Sequence, residues 1–560
     1  MKLTNATLDS EEQLTFGDFN VFIGGNGVGK TTIISELFHK SADLPRTRYW
    51  WIKDISYVSS DVTADLSLLK GSLARKREGL TTFFFSNAAK SMDGNVDLGD
   101  EIRFSTEEVD QMASQNNANV FNHKKYRRSF IAFSSCESRL SLQNESAMTR
   151  LDHPPQDPLN ILDRNKILLK EIDKNIFDIF KFHFVLLTHL GIILQIGISK
   201  TEPPSFNYAA DSKQEEFERI EKWRQENFTP ITEAGHGIRS MIRLLTSLLE
   251  PVNQIIVIDE PEMHLYPSQK RWLGKQLVSL AAQQRKQVFL VTHDPMVLQG
   301  ILDANTKTNI FRVDRDDEGK GTVRYCEFDK LDASHSRNQD QYLQGLFYQR
   351  CIVVEGASDR SFYQEMLEQY PETQNKDLGI VVAGGVGNSK HMAYITAKVG
   401  LRAAFVYDLD VILENRELIT QIYITLGGAG NPMEAFEAAI NADAEVQATK
   451  SDKKKNQEAA KQLTGYTRKE GFSEEWASKN RDILRYTFGT LASRGLFIVP
   501  YGTLESWAPE VEEKIRFAEE APAQLRKNPS LQKRFDDFAT PLLKFLDIDR
   551  PPSGGKDVPV

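Results

Sequence analysis

Gly24-Gly25-Asn26-Gly27-Val28-Gly29-Lys30-Thr31, with Thr32 behind it, sets the fold of the N-terminal half once it is paired with Ile255-Ile256-Val257-Ile258-Asp259-Glu260-Pro261-Glu262. The apolar run 19–23 ahead of the first stretch predicts a strand, and residues 31–38 behind it have the apolar spacing of a helix. Strand, glycine turn and helix let the backbone approach a phosphate closely, with successive N–H groups and a helix N-terminus turned toward it. Lys30 adds a point charge, and the Thr31 hydroxyl is of the type that ligates Mg²⁺. The four aliphatic residues before Asp259 predict a buried parallel strand that delivers its carboxylate at the carboxyl end, where ligands bind in open α/β sheets. Asp259 is expected to hold Mg²⁺ through water and Glu260 to polarise an attacking water. The ATP-binding set is thus Gly24, Asn26, Gly27, Gly29, Lys30, Thr31, Thr32 and Asp259, with Thr31 and Asp259 on the metal. His293, at the end of the apolar run 287–291, is expected to reach the γ-phosphate.

A second carboxylate cluster lies far along the chain. Val353-Val354-Glu355-Gly356-Ala357-Ser358-Asp359 puts an acid at the end of an apolar run, with Gly356 permitting a tight turn into a helix. Phe405-Val406-Tyr407-Asp408-Leu409-Asp410 repeats the arrangement with two acids, expected to share one face because alternate strand residues do. Acids gathered at adjacent strand ends repel one another unless a cation is present, which points to hard, oxygen-liking Mg²⁺ or Mn²⁺. Glu355, Asp408 and Asp410 are the expected catalytic ligands. Asp359 and Glu505, the latter behind the apolar run 495–499, are further metal candidates. The loop 383–388 has glycines but no following Lys-Ser/Thr, and reads as a strand-to-helix turn.

At 560 residues the chain exceeds one hydrophobic core, and roughly three or four folding units are expected. A net charge of −9 provides no global field for nucleic acid, so any DNA contact must come from local basic runs or bridging metals. The runs 124–128 and 453–455 and the tail residue Lys556 are such places, each more simply read as solvated surface. Cys136, Cys326 and Cys351 make no metal-binding spacing, which suits a reducing cytoplasm. The apolar stretch 184–198 falls short of the ~20 residues that span a bilayer, and reads as a buried helix running into a strand over 192–198. No membrane association is expected.

Lys30 and Asp259 are 229 residues apart (259 − 30), so large insertions separate the halves of the nucleotide site. They fall within about residues 60–230, with a polar stretch 87–122 and a charged helix over 214–227 in a region expected to dimerise. A helix is expected over 268–285, a hairpin turn at 319–321 and a linker at 332–341. Residues 431–482 read as helices inserted in the second domain, and 550–555 as a loose tail. The fold class is α/β: a P-loop ATPase domain over 1–340 with a helical insertion, then a second α/β domain over 345–560 with its own.

On these residues the first domain resembles the ABC-type ATPases of the SMC kind. The resemblance implies that a loop from a second head closes the ATP site. Glu233-Ala234-Gly235-His236-Gly237 stands where that loop belongs, with Gly235 and Gly237 as nucleotide contacts, although it departs from the usual Ser-Gly-Gly-Gln. Ser134-Ser135-Cys136-Glu137-Ser138-Arg139 is a candidate for the family's glutamine-bearing loop. The second domain, over about 348–510, resembles the Toprim fold. An ABC-type ATPase followed by Toprim is similar to the OLD (overcoming lysogenization defect) nucleases, which include the Gabija nuclease subunit and retron-associated enzymes. That resemblance implies nucleotide-controlled, two-metal cleavage of DNA by a homodimer or larger assembly. A defence-system partner, either a helicase or a retron reverse transcriptase with its RNA, is also implied.

Two rivals come from other classes. A DNA-structural ATPase of the SMC type needs long heptad arms, which are missing, and leaves the second acidic cluster unused. A topoisomerase needs a tyrosine domain for which too little chain follows Glu505.

Overall fold

The computed structural model describes residues 1–42, 51–58, 82–85, 102–105, 127, 130–142, 145–147, 162, 165–187, 193–205, 212–304, 307–315, 321–326, 343–374, 376–442, 453–511 and 516–548. The chain divides into two compact units, Met1–Lys330 and Leu331–Val560.

The first unit begins with β1 (Lys2–Leu8), β2 (Gln13–Thr15), β3 (Phe19–Ile23) and β4 (Ile52–Val58). Then come β5 (Thr82–Phe85), β6 (Ile102–Ser105), β7 (Ile131–Ser134), β8 (Glu145–Ala147), β9 (His183–Leu187), β10 (Ile193–Ser199) and β11 (Thr229–Pro230). It ends with β12 (Ile255–Asp259), β13 (Gln287–Val291), β14 (Asn309–Arg315) and β15 (Gly321–Cys326). The central sheet runs β15-β14-β3-β13-β12-β7, parallel except for the β14–β15 pair. Every residue of β3, β12 and β13 is buried, which explains their largely apolar sequences. Against this sheet packs helix Lys30–Ala42, whose Ile33, Ile34, Leu37 and Phe38 join Phe22, Val257, Phe289 and Phe311 in one core.

Three small antiparallel sheets accompany it among the described residues: β2-β1-β4, β11-β10-β8 with β9 also on β10, and the pair β5-β6. The stretch read as a helix entering a strand is instead β9 paired antiparallel to β10, from Gln195 opposite Leu187 to Ser199 opposite His183. The charged helix is present as Lys213–Asn227, with Ile220 buried and Phe217 exposed. The helix after β12 is Pro267–Gln283. The polar stretch 87–122, the turn at 319, the linker 332–341, the tail with Lys556 and all but Arg127 of the first basic run lie outside the described residues.

The second unit has one parallel sheet, β17-β16-β18-β19, built from β16 (Arg350–Val354), β17 (Leu378–Val382), β18 (Arg402–Tyr407) and β19 (Leu496–Ile498). Helices Glu434–Asn441, Lys453–Thr464 and Glu474–Lys479 form the insertion between β18 and β19. Two C-terminal helices, Phe517–Lys527 and Pro529–Phe545, complete the core around Phe362, Trp507, Phe535 and Phe538. Among the described residues no helix is long and apolar enough to cross a membrane.

Candidate functional sites: a nucleotide loop and a carboxylate cluster

The strand order sets β13 between the glycine-loop strand β3 and the Asp259 strand β12, all three ending on one edge. Val291 pairs with Asp259 on one side and with Phe22 on the other, so the three carboxyl ends are level. The loop after β3 turns through positive φ at Gly24 (146°), Gly27 (76°) and Gly29 (103°), where a side chain is strained. At Gly24 a Cβ would also stand 2.2 Å from the Val313 carbonyl oxygen. Asn26 and Gly27 are exposed at the tip of the loop, and Thr31 and Thr32 are half-buried at the helix start.

Lys30 Nζ donates to the carbonyls of Gly24 (2.9 Å) and Gly25 (2.7 Å), curled into the loop that cradles it. Thr31 Oγ1 donates to Asp259 Oδ1 at 3.0 Å, which brings the two expected metal ligands together. Burial pushes the Asp259 carboxyl up to about 6, partly offset by the Thr31 hydrogen bond. A carboxylate so placed gains from a cation beside it. Glu260 takes φ 46°, and its Oε1 lies 3.2 Å from His293 Nδ1. The hydrogen bond from His293 holds Glu260 below its usual range, and the same bond raises His293. The pair can therefore act together on one proton.

Two residues that hold this geometry were not singled out in the sequence. Glu262, buried at 1% exposure, accepts from Thr292 Oγ1 (2.7 Å) and His293 N (3.0 Å), fixing the turn that presents His293. Arg139, also 1% exposed, ties three segments into one. Its Nη1 donates to the Ser134 and Asp259 carbonyls, its Nη2 to the Glu260 carbonyl (2.7 Å) and its Nε to Ser240 Oγ (2.9 Å). It lies in the very segment read as a candidate glutamine loop. The available signal was an arginine following the apolar strand-and-serine stretch that heads for the Asp259 edge. Arg139→Ala is expected to lower stability by about 2–3 kcal/mol, because buried carbonyls lose their donor. It should also slow ATP turnover by about 10-fold or more through misplaced Glu260, while ATP affinity changes little. Thermal melting, turnover and nucleotide titration separate these effects; parent turnover in a folded variant would remove the positioning role.

Gly235 and Gly237 open helix His236–Leu249, but they differ. A Cβ on Gly237 would lie 2.7 Å from the His264 carbonyl oxygen, so Gly237 is needed for packing inside this chain. A Cβ on Gly235 would meet nothing within 4 Å, and its φ of −57° suits any residue. Of the two, Gly235 is the one turned to open space.

In the second unit, Glu355 follows β16, Asp408 follows β18, and Glu505 sits in the short 3₁₀ turn Leu504–Trp507 after β19. Asp408 and Asp410 do not share a strand face as expected, because β18 ends at Tyr407. They belong to a turn in which Val411 N donates to the Asp408 carbonyl and Leu413 N to that of Asp410, which caps a short helix. The acids are nevertheless close enough to act on one another. Burial and then Asp359 and Asp410 push Glu355 up to about 7. Burial, then Asp359, Glu355, Asp410 and Glu505, raise Asp408 far above the carboxylate range. Asp410 is raised by burial and Glu414, and held down by Lys461 and Arg468.

Asp359 has one oxygen engaged with Gly356 N at 2.9 Å, and Glu505 pairs with the Thr503 hydroxyl. Loop 383–388 is a tight strand-to-helix turn whose Gly384 and Gly385 N–H groups donate to the Glu355 carbonyl (3.0 Å each), pinning that residue's backbone. Glu355 Oε1 is buried and accepts no hydrogen bond from the described residues. Among the described residues no three such side chains already form a closed metal cage. That is the expected posture of like charges without a counter-ion. The donor set fits a divalent ion: oxygen-only, anionic, and with a buried oxygen lacking any other partner.

Residues 53–298 match the family model described as an AAA ATPase domain, a span that includes Asp259, Glu260 and His293 and begins beyond the glycine loop. Residues 346–410 match the overcoming lysogenization defect protein-like TOPRIM domain, which takes in Glu355, Asp359, Asp408 and Asp410. The chain is 23% identical over 446 residues to a protein named OLD nuclease from Thermus scotoductus, covering 71% of this chain and 79% of that one. To the Old nuclease of Escherichia phage P2 it is 24% identical over 219 residues, 34% of this chain and 36% of the relative. An SMC head domain from Thermotoga maritima aligns with 58% of this chain and all of its own, at 12% identity and a TM-score of 0.27, too low to bear on the fold. With an AAA ATPase domain followed by an OLD-like TOPRIM domain, the chain matches the OLD (overcoming lysogenization defect) family in both parts and in their order.

Proposed function

We propose that this chain is an ATP-hydrolysing, divalent-metal-dependent DNA endonuclease that works as a homodimer or larger assembly in anti-phage defence. One observation carries the nuclease reading: Glu355, Asp408 and Asp410 stand at the carboxyl ends of one parallel sheet, each raised by burial, with Asp359 and Asp410 acting on both Glu355 and Asp408, and with Glu355 Oε1 buried and without a partner among the described residues. Such an arrangement is unfavourable without cations and gains by holding them. Mg²⁺ or Mn²⁺ bound there supplies Lewis acidity for phosphodiester hydrolysis. Glu355, Asp408 and Asp410 hold the ions, while Asp359 and Glu505, each already tied to its own turn, complete the acidic wall.

In the ATPase unit the glycine loop and Lys30 grip phosphate, Thr31 and Asp259 face the metal, and Glu260 accepts a proton from water with His293 beside it. Incubation of supercoiled plasmid with Mg²⁺ or Mn²⁺, with and without ATP, tests the whole. Nicked and linear products are expected. Relaxed closed circles would instead indicate a topoisomerase, and unchanged plasmid a DNA-structural ATPase.

We also propose that Gly235 closes the partner subunit's ATP site. Gly235→Glu sets a negative charge toward the phosphates without crowding its own chain, and should abolish ATP hydrolysis. Lys30→Ala should be inactive as well. Mixed, the two variants should regain about a quarter of the parent rate, because half the dimers then contain one site with an intact Lys30 and an intact facing Gly235. No recovery in verified mixed dimers would show that each site is built from one chain.

A further inference from the structure

The turn after helix Lys453–Thr464 is stapled to the loop ahead of Glu505. Thr467 and Gly471 exchange N–H···O bonds of 2.8 and 2.9 Å. The Arg468 carbonyl accepts from the Thr503 N–H at 2.9 Å and from its hydroxyl at 3.1 Å. Gly502, at φ +134°, sits so near that a Cβ would come within 2.3 Å of the same oxygen. Side chains on this turn are therefore carried on a fixed backbone beside the carboxylates.

Two of them, Tyr466 and Arg468, stand next to the acids. Tyr466 Oη is buried and finds no hydrogen-bond partner among the described residues. Its ring is lodged between Lys461 Nζ, 5.7 Å from the centroid, and the Phe472 ring, with centroids 6.2 Å apart. The same Lys461 ammonium pairs with Glu414, whose N–H donates to the Asp410 carbonyl at 2.9 Å, so the ring stands beside the acid cluster, and Asp410 and Asp408 raise the phenol after burial does. Arg468 has an exposed side chain whose charge acts on both Asp410 and Tyr466. A buried donor without an acceptor is costly, and an incoming ligand can supply the acceptor. The incoming ligand, a phosphodiester, is an anion approaching a wall of carboxylates, and needs donors and positive charge on its outer side.

We propose that Tyr466 and Arg468 position the DNA strand at the carboxylate site, Tyr466 by donating its Oη hydrogen to a non-bridging oxygen of the phosphodiester to be cut, and Arg468 by pairing with a phosphate of the same strand. The inference rests on the nuclease reading above. It is tested on the full chain in two ways: binding of a fluorescein-labelled duplex in Ca²⁺ across a KCl series, and cleavage in Mg²⁺. Arg468→Gln should weaken binding about 10-fold and lower the log–log salt slope by about 1, the signature of one lost phosphate contact. Arg468→Lys should recover most of both.

Tyr466→Phe keeps the ring and should melt with the parent and hydrolyse ATP normally, yet lower kcat for cleavage on the order of 10²-fold with KM little changed. Arg468 is exposed, so its variants test the inference independently of folding. Parent-like cleavage in Tyr466→Phe together with parent-like affinity and slope in Arg468→Gln overturns the inference alone. A parent chain that neither binds nor cuts DNA overturns the nuclease reading itself, and the inference with it.

Discussion

Asp408→Ala is expected to abolish DNA nicking, by on the order of 10³-fold or more, while ATP hydrolysis stays near the parent rate. Asp408 is raised by burial and then by Asp359, Glu355, Asp410 and Glu505, so its removal takes away the group on which the cluster converges. Metal affinity falls and the reacting water loses its place. ATP turnover survives because Asp408 belongs to Leu331–Val560, whereas Lys30, Asp259 and Glu260 belong to Met1–Lys330. Glu355→Ala should match it, and the double variant should be little worse, since acids sharing ions act as a unit. Plasmid nicking at saturating Mg²⁺ and Mn²⁺, with phosphate release measured in parallel, reads both halves. Nicking that persists in both single variants would falsify the assignment of this domain as the nuclease.

Glu260→Gln should keep ATP and lose its hydrolysis by on the order of 10²-fold or more. The amide oxygen can still accept from His293 Nδ1, now 3.2 Å from Glu260 Oε1, so the turn is preserved while the proton acceptor is gone. Glu262 continues to hold His293 through its backbone N–H. Lys30→Ala differs in kind. Its ammonium now occupies the loop carbonyls of Gly24 and Gly25, and without it the charge that grips phosphate is missing, so binding itself should fail. Equilibrium binding of a fluorescent nucleotide, set against phosphate release, separates the two. Unchanged turnover in Glu260→Gln would move the water-activating role to another residue.

The elements that carry the chemistry were legible because each rests on a local signal. Largely apolar runs announced β3, β12 and β13, since a strand buried on both faces has no regular polar alternation to show. Glycines with required positive φ marked the phosphate loop. The acids at Glu355, Asp408 and Asp410 stood directly behind apolar strands. Where the reading went astray, distant partners decided. The run 184–198 forms part of an antiparallel pair because β9 finds β10, which no local periodicity reports. Asp408 and Asp410 share a turn rather than a strand face because β18 stops at Tyr407, before either of them.

By itself, then, the sequence determined the two α/β units, their order and most of the candidate ligands, because strand burial, glycine φ and acid placement are properties of neighbours along the chain. Tertiary structure alone decided which residues hold those ligands in place. Arg139 reaches Asp259 and Glu260 from 120 and 121 residues away. Helices Phe517–Lys527 and Pro529–Phe545 return to close the core around Phe362 and Trp507. The turn at Tyr466 meets Thr503 across two intervening helices and a strand. Such contacts depend on burying apolar surface and satisfying carbonyl groups between segments far apart in sequence, and neither requirement leaves a periodic trace in either segment alone.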